Sequence, residues 1–495
     1  MADLPYRIVI GLEVHVQLLT QTKLFCGCST QFGLPPNSAT CPVCIGMPGV
    51  LPVMNRRAFD LALRAAMALN CRIAEFTKWD RKNYYYPDLP KNYQISQYDL
   101  PFSHDGWLEI RTPSGTKRIG ILRAHLEEDA GKMMHDERGT GKDSLVDLNR
   151  AGTPLLEIVG HPDLSEPEEA KSYLEEMRLL LREIGVSDCE MQEGSLRCDA
   201  NVNVHIPQSD GSTIKTPIVE VKNLNSFRAV ERAMKYESQR QYEEALRDPN
   251  YRLETTAKAT AGWDEHRGVT VVQRRKEEAS DYRYFPEPDL VPIVVDRAWR
   301  ERVQTEMGEL PAAMRLRLVD RYGLSEYDAG VLTLQGRVVV GYFEEVAKIC
   351  GDAKAACNWV TNTILATLNE TKEEFSAFVA RSGLTGERLG GLIAEQKAGG
   401  FNKQAAEAIY RHMIDAQVDA KTAIEKLGVK ALDSEALVAI VRRAVAANPR
   451  AVADYKSGKT KAAQAIKGAV MRETKGAAKA EIVEQLIVEA IQKEG

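Results

Sequence analysis

The chain changes texture near residue 295 and again near 410–430, before a basic, Ala-rich end. Up to about residue 295, apolar and polar positions alternate with period two between Pro and Gly turns. Beyond Asp296, Ala, Leu, Glu and Lys recur with helical spacing. In the first part Ile8, Ile10, Leu12, Val14, Val16 and Leu18 form one face of a strand, and Glu13, His15 and Gln17 the other. A second strand sets Asp199, Asn201, Asn203 and His205 against Ala200, Val202 and Val204. Two apolar runs, 154–159 and 218–223, each enclose a lone carboxylate, Glu157 and Glu220. One helix is well marked. Ser165-Glu166-Pro167-Glu168 predicts an N-cap serine with a capping box closed by Glu168. Ala170, Tyr173, Leu174, Met177, Leu180, Leu181 and Ile184 then form one apolar stripe, and Gly185 ends it. The pattern predicts an α+β fold: a β-rich domain over 1–295, an all-helical domain over 296–415 and a small helical tail domain over 416–495.

At 495 residues and 55.0 kDa the chain exceeds what one core organises. An apolar fraction of 44% with 27% charged residues excludes collagen and a wholly disordered chain. No run reaches the ~18 apolar residues a membrane span requires, and the start of the chain carries no signal-peptide core. A cytoplasmic protein without membrane association is expected. Nine cysteines, odd in number and mostly far apart, argue against a disulfide framework. The 65 basic and 70 acidic residues give −5. Residues 450–479 hold eight basic residues (Arg450, Lys456, Lys459, Lys461, Lys467, Arg472, Lys475, Lys479) against Asp454 and Glu473, leaving −11 on the rest. A polyanion contact or a solvated helix face accounts equally for that basic end.

Candidate chemistry lies in the first part. Glu13 and His15 project side by side, as a metal site or a proton relay requires, although a solvated polar face has the same pattern. Carboxylates inside apolar strands are costly unless paired or metal-bound, so Glu157, Glu220 and the Asp199 strand suggest convergence on one cleft. His125-Leu126-Glu127-Glu128-Asp129 adds three adjacent acids, either a divalent-ion site or a solvated acidic turn. Cys26-x-Cys28 and Cys41-x-x-Cys44, with Gly27, Pro42 and Gly46 for tight turns, match a closed four-cysteine structural zinc ribbon over 26–44. Free thiols are the alternative. The other five cysteines read as plain buried thiols. No Walker loop, dinucleotide-binding glycine fingerprint or kinase glycine loop occurs. Residues 80–94 crowd five charged side chains, four tyrosines and two prolines into fifteen positions, a loop suited to stacking bases or guiding a polar substrate.

The segments IGLEVHVQL, DRKNYYYPDLPKNYQISQYDLP, RAHLEEDAGK, DLNRAGTPLLEIV, EGSLRCDANVNV, EVKNLNSF and DYRYFPEPDLVP, in this order, resemble one family. It is the B subunit of the tRNA-dependent aspartyl/glutamyl amidotransferase, of the bacterial type, since no room exists for the inserted domain of the archaeal E-type relatives. The resemblance runs from Ile10 to the chain end, including the basic segment 448–476. It implies a kinase-like cradle, a helical domain and a tail that touches tRNA. It also implies an activity: phosphorylation, with ATP, of the side-chain carboxylate of Glu on tRNA(Gln) or Asp on tRNA(Asn). Ammonia, released from glutamine by a partner A subunit and led through a tunnel, then displaces phosphate, and a C subunit clasps A and B together.

Carried over residue by residue, the resemblance implies Mg²⁺ or Mn²⁺ on Glu13, His15, Glu127, Glu128, Glu157 and Glu220, with Asp199, and catalysis by Glu13, His15, Glu127 and Glu128. It implies ATP phosphates or the terminal adenosine of tRNA on Arg150, Ser195, Arg197, Lys222 and Asn223, and an ammonia path lined by Lys82, Tyr86, Asp88 and Lys91. Zinc cysteines occur in only part of the family, so zinc serves structure here. Asn92 stands where the family has glycine, which points to positive φ at that position. The rival readings are a tRNA-binding scaffold whose acids are structural, and a Mg²⁺-dependent nuclease. Preference between the two tRNAs is not written in the sequence.

Overall fold

The computed structural model describes residues 5–135, 144–275, 281–399, 401–429, 434–457, 460–474 and 480–493. Lys459, Lys475 and Lys479 of the basic end, and the first four residues, lie outside these. The chain divides into two compact units, Met1–Leu310 and Pro311–Gly495.

The first unit opens with β1 (Arg7–Gln17), α1 (Arg56–Ala68) and the short strands β2 (Arg72–Ile73), β3 (Phe76–Thr77), β4 (Asp80–Asn83) and β5 (Tyr93–Ser96). It continues through β6 (Ser103–Thr112), β7 (Gly115–Glu128), β8 (Lys132–His135), β9 (Ser144–Asp147), β10 (Pro154–Gly160) and α2 (Pro167–Glu183). Then come β11 (Leu196–Pro207), β12 (Thr213–Lys215), β13 (Val219–Lys222), α3 (Phe227–Arg247), β14 (Ala259–Asp264) and β15 (Val269–Arg275). The short strands β16 (Phe285–Pro286) and β17 (Ile293–Val294) precede α4 (Arg297–Met307). One ten-stranded sheet runs β15-β14-β13-β11-β1-β10-β7-β6-β2, with β12 on β11. All its pairings are antiparallel except β13 with β14, which α3 joins as a crossover.

Period two decides what each face does. The even positions of β1, Ile8 to Val16, are at most 4% exposed and join the main core. Helix α2 packs on β6 and α3 on β11, and the whole predicted stripe of α2 is buried. Its N-terminus differs from expectation. Pro167, whose fixed φ suits the first helical position, makes Glu166 the cap. Glu169, not Glu168, closes the box by accepting from the Ser165 N–H at 2.8 Å.

The first unit extends past the compositional change at Asp296, because α4 is amphipathic toward α1. Val303 and Met307 enter the core, and the Trp299 indole and Arg302 donate to Asp60. In the second unit every described secondary-structure element is helical, from Pro311–Tyr322 to Ala480–Lys493. Its apolar side chains form two clusters, one from Met314 to Ala423 and one from Leu437 to Ile491. Among the described residues no helix is long and apolar enough to cross a membrane.

Candidate active site

The second face of the sheet carries the chemistry, and strand register assembles it. His15 on β1 lies opposite Glu157 on β10 and Arg197 on β11, and Glu157 lies opposite His125 on β7. The next row along β1 sets Glu13 between Val159 and Asp199. Directly opposed residues share a face a few ångströms apart, so four strands present a His–Glu–His–Arg row. The His15 Nε2 stands 3.5 Å from Glu13, 3.6 Å from Glu157 and 3.9 Å from Glu127. The His125 Nε2 stands 3.5 Å from Glu157 and 3.9 Å from Glu127. Two overlapping groups, Glu13–His15–Glu157 and His125–Glu127–Glu157, have donor atoms within 4.8 Å of one another.

Burial makes these groups interdependent. It opposes charge on His15, yet Glu157, Glu127 and Glu13 outweigh it and raise the imidazole to about 9. Burial pushes His125 down to about 4, so this imidazole is neutral near pH 7 with a lone pair to offer. Burial, reinforced by Glu157, lifts Glu127 to about 7, and burial also raises Glu13. Glu157 is buried as well, but the two imidazoles hold it well below the usual carboxylate range. Three carboxylates and two imidazoles, in two groups that share Glu157, form an oxygen-rich donor set that fits Mg²⁺ or Mn²⁺. The His125 Nδ1 is buried without a hydrogen-bond partner.

Above the cluster opens a cleft of about 490 Å³. Glu13, His15, Glu127, Asp199, Glu220, Lys222 and Asn223 line it, with Lys82, Arg197, Tyr84 and Tyr282. Lys222 bridges to Asp199 and, at 3.0 Å, to Glu220, so those two acids are held by a cation beside the cluster. Arg197 donates to Asp129 at 2.9 Å. Lys82 lies over Tyr282, and the charges of Glu127 and Glu157 outweigh burial to raise its ammonium.

The structure does not bring every expected residue here. Glu128 follows Glu127 on β7 and points the opposite way, where it pairs with Lys91 and accepts from the Ile95 N–H at 2.9 Å. All three consecutive acids are buried, so the solvated acidic turn is excluded. The Ser195 hydroxyl binds the preceding turn through Asp188 and the Glu190 N–H. Arg150 caps the carbonyls of Ala130 and Gly131 at 2.9 and 2.5 Å. Asp88 accepts the Gly131 N–H through its carbonyl, and Tyr86 is exposed. Asn92 has φ +60 and Asn223 φ +63, the conformation expected at Asn92. The sequence marks Asp129 only as one of three adjacent acids in a candidate divalent-ion cluster, and it assigns His125 no role. The signal is the alternation of His125 and Glu127 along β7, continued by Asp129 just past its end.

The cysteines form a second centre. The four Sγ atoms of Cys26, Cys28, Cys41 and Cys44 lie within 4.8 Å of one another, and Cys41 to Cys44 is 3.9 Å. A tetrahedron of thiolates at the usual Zn–S length has edges of about 3.8 Å, so the donors fit zinc. The Lys23 ammonium, fully buried, donates to Cys44 at 3.5 Å and to the Ala39 carbonyl at 2.7 Å. Asn37 and Asn149 stitch the ribbon to 146–149. Leu148 N–H donates to the Asn37 amide oxygen and Ala39 N–H to that of Asn149, each at 2.8 Å.

The profile of the GatB/GatE catalytic domain matches residues 8–301, and that of the GatB domain residues 341–491. The B subunit of the aspartyl/glutamyl-tRNA(Asn/Gln) amidotransferase of Rhodopirellula baltica is 49% identical over 491 residues, covering 99% of this chain and 97% of that protein. The chain belongs to this B-subunit family. The proteins of the same name from Carboxydothermus hydrogenoformans (48% over 490 residues, 99% of each chain) and Moorella thermoacetica (49% over 487 residues, 98% of this chain and all of that one) match it over comparable lengths. The family's catalytic-domain match contains the carboxylate–imidazole cluster, the cleft and the four cysteines. Its second match falls within the helical unit.

Proposed function

We propose that this chain is the B subunit of a tRNA-dependent amidotransferase and phosphorylates the carboxylate of Glu-tRNA(Gln), Asp-tRNA(Asn) or both with ATP before amidation. The observation that carries the reading is the row His125–Glu157–His15–Arg197 in a cleft that Lys82 and Lys222 also line. A carboxylate is a poor acyl donor. When one of its oxygens attacks the γ-phosphorus of ATP, ADP leaves and an acyl phosphate forms. Ammonia then adds to the carbonyl carbon, phosphate departs, and the amide loses a proton.

The residues divide this work. Glu13, His15, Glu127, Glu157 and the neutral His125 would hold Mg²⁺ or Mn²⁺, which supplies positive charge against the phosphoryl oxygens. Lys82 and Lys222 balance the substrate carboxylate and the tRNA end. Lys82, Tyr86, Asp88 and Lys91 are assigned to the approach of ammonia from a glutaminase A subunit, a C subunit joining the two. Cys26, Cys28, Cys41 and Cys44 would hold Zn²⁺ for structure.

The test is ATP-dependent amidation of both aminoacyl-tRNAs with ammonium chloride as nitrogen donor, A and C subunits present. Amide formed by the wild type and lost with EDTA or Glu157→Gln, while tRNA binding persists, supports the reading. Binding without any amidation would make the chain a scaffold, and tRNA cleavage without ATP would make it a nuclease.

A further inference from the structure

A buried cation accompanies the four cysteines. Lys23 is fully buried, and its backbone N–H donates to the Cys28 carbonyl at 3.0 Å, so the residue is built into the first cysteine pair. A lysine ammonium has three N–H groups to place. Here they reach the Ala39 carbonyl at 2.7 Å, the Leu148 carbonyl at 3.4 Å and the Cys44 Sγ at 3.5 Å. Two of these acceptors are neutral carbonyls. A buried charge is costly unless an opposite charge balances it.

Three observations point to the sulfur atoms as that balance. First, no carboxylate among the described residues accepts from Lys23. Glu128 lines the same small cavity as Lys23, Cys26 and Cys44, but it is paired with Lys91 and accepts from the Ile95 N–H. Second, four thiolates around one Zn²⁺ carry two negative charges more than the metal neutralises, so a filled ribbon is itself a buried anion. Third, the four sulfurs are not equivalent. Cys44 is buried where Cys26, Cys28 and Cys41 are half-buried, and its Sγ accepts from the Cys41 N–H at 3.2 Å as well as from Lys23. Both donors therefore converge on the sulfur that water solvates least, and hydrogen bonds to an ionised acceptor are the strong ones.

We propose that Lys23 is the counter-ion of the zinc–thiolate centre: its ammonium offsets excess negative charge at Cys44 and so strengthens zinc binding. The role is independent of the reaction in the cleft. It also gives the ribbon a charged anchor, since the same ammonium holds Ala39 within the ribbon and Leu148 outside it. Partners that hydrogen-bond a metal's ligands typically contribute about 10–100-fold to its affinity.

The test uses the full chain, with zinc affinity read by competition against a chromophoric chelator. Lys23→Met keeps an unbranched apolar stem without the charge or the donors, and Lys23→Gln keeps a donor without the charge. Lys23→Met is expected to weaken zinc binding about 10–100-fold, with Lys23→Gln between it and wild type. A strut that merely held the ribbon to Leu148 would also weaken binding, so Co²⁺ in place of zinc supplies the deciding signal. Removing a positive charge beside a thiolate makes its sulfur easier to oxidise. The sulfur-to-cobalt charge-transfer band of Lys23→Met is therefore expected at longer wavelength than in wild type, and that of Lys23→Gln is expected to move the same way. The ligand-field bands should keep their tetrahedral intensity in both. Thermal unfolding of the zinc-loaded protein checks that each variant folds; should Lys23→Met not fold, Lys23→Gln carries both measurements. Unchanged zinc affinity in a folded variant would overturn the assignment. Weaker binding with an unmoved charge-transfer band would overturn it too, and would leave Lys23 as a strut. A wild type whose four cysteines bind neither metal would remove its premise and overturn it as well.

Discussion

Arg197 offers the sharpest test of how the cleft is held together. The resemblance places it on a phosphate or the tRNA end, but the structure commits it to Asp129. That carboxylate is only 3% exposed and accepts from Arg197 at 2.9 Å, from the Gln17 amide at 2.8 Å and from the Ala130 N–H at 2.9 Å. Burial opposes its charge, and Arg197 and Arg150 outweigh that and hold its pKa down. Removing one partner of a buried pair costs about 3–5 kcal/mol. Because the Arg197 side chain is 34% exposed and Gln17 remains, about 2–3 kcal/mol is expected for Arg197→Met.

Urea unfolding followed by tryptophan fluorescence reads the first unit, which holds four of the five tryptophans (Trp79, Trp107, Trp263 and Trp299). Asp129→Asn added to Arg197→Met should recover stability to within about 1 kcal/mol of wild type, since the uncompensated charge is gone. The sign with pH is set. A carboxylate with a depressed folded pKa contributes stability above its unfolded value, near 3.8, and loses it as pH falls through the folded value. The gap between wild type and Arg197→Met therefore closes below about pH 4. A variant as stable as wild type at neutral pH, or a gap that ignores pH, would refute this account and free Arg197 for ligand.

Other outcomes are expected. Cys44→Ser should lose bound zinc by elemental analysis and speed hydrogen exchange at 37–39 and 146–149 at least about tenfold, because the ribbon and that segment are stitched together; unchanged exchange would show that the ribbon folds without metal. In the metal-free chain His15 should titrate near 9 by imidazole NMR. Its folded pKa is raised, so its stabilisation is whole below the ordinary value of 6.5 and is lost as pH rises through about 9. Glu157→Gln should bring that titration down, and an unmoved His15 would exclude the pairing. Removing the chain from Ser434 onward should leave the remaining helices folded and weaken tRNA binding at least about tenfold, with a shallower salt dependence. A cut at 448 should instead unfold the stump, since it divides the cluster that joins Leu437 and Val441 to Val483 and Ile487. Equal tRNA affinity after the longer deletion would remove the tail from recognition.

What the sequence determined by itself is what depends on neighbours along the chain. The two faces of β1 and of β11, the stripe of α2, the change of texture near Asp296 and the paired cysteines were all legible, because side-chain period and loop closure are local properties. The conformation at Asn92 came instead from the resemblance, which has glycine at that position. Tertiary structure alone decided which strands became neighbours. Only the order β11-β1-β10-β7 sets Glu157 between His15 and His125. Only the pleat of β7 parts Glu127, which joins the cluster, from Glu128, which turns to Lys91. Helix α4 went with the first unit because its apolar stripe found α1, although its composition resembles that of the helical unit. Lone carboxylates in apolar runs announced a buried charge. Which imidazole or guanidinium would balance each was a matter of register between strands distant in sequence, and no single segment encodes it.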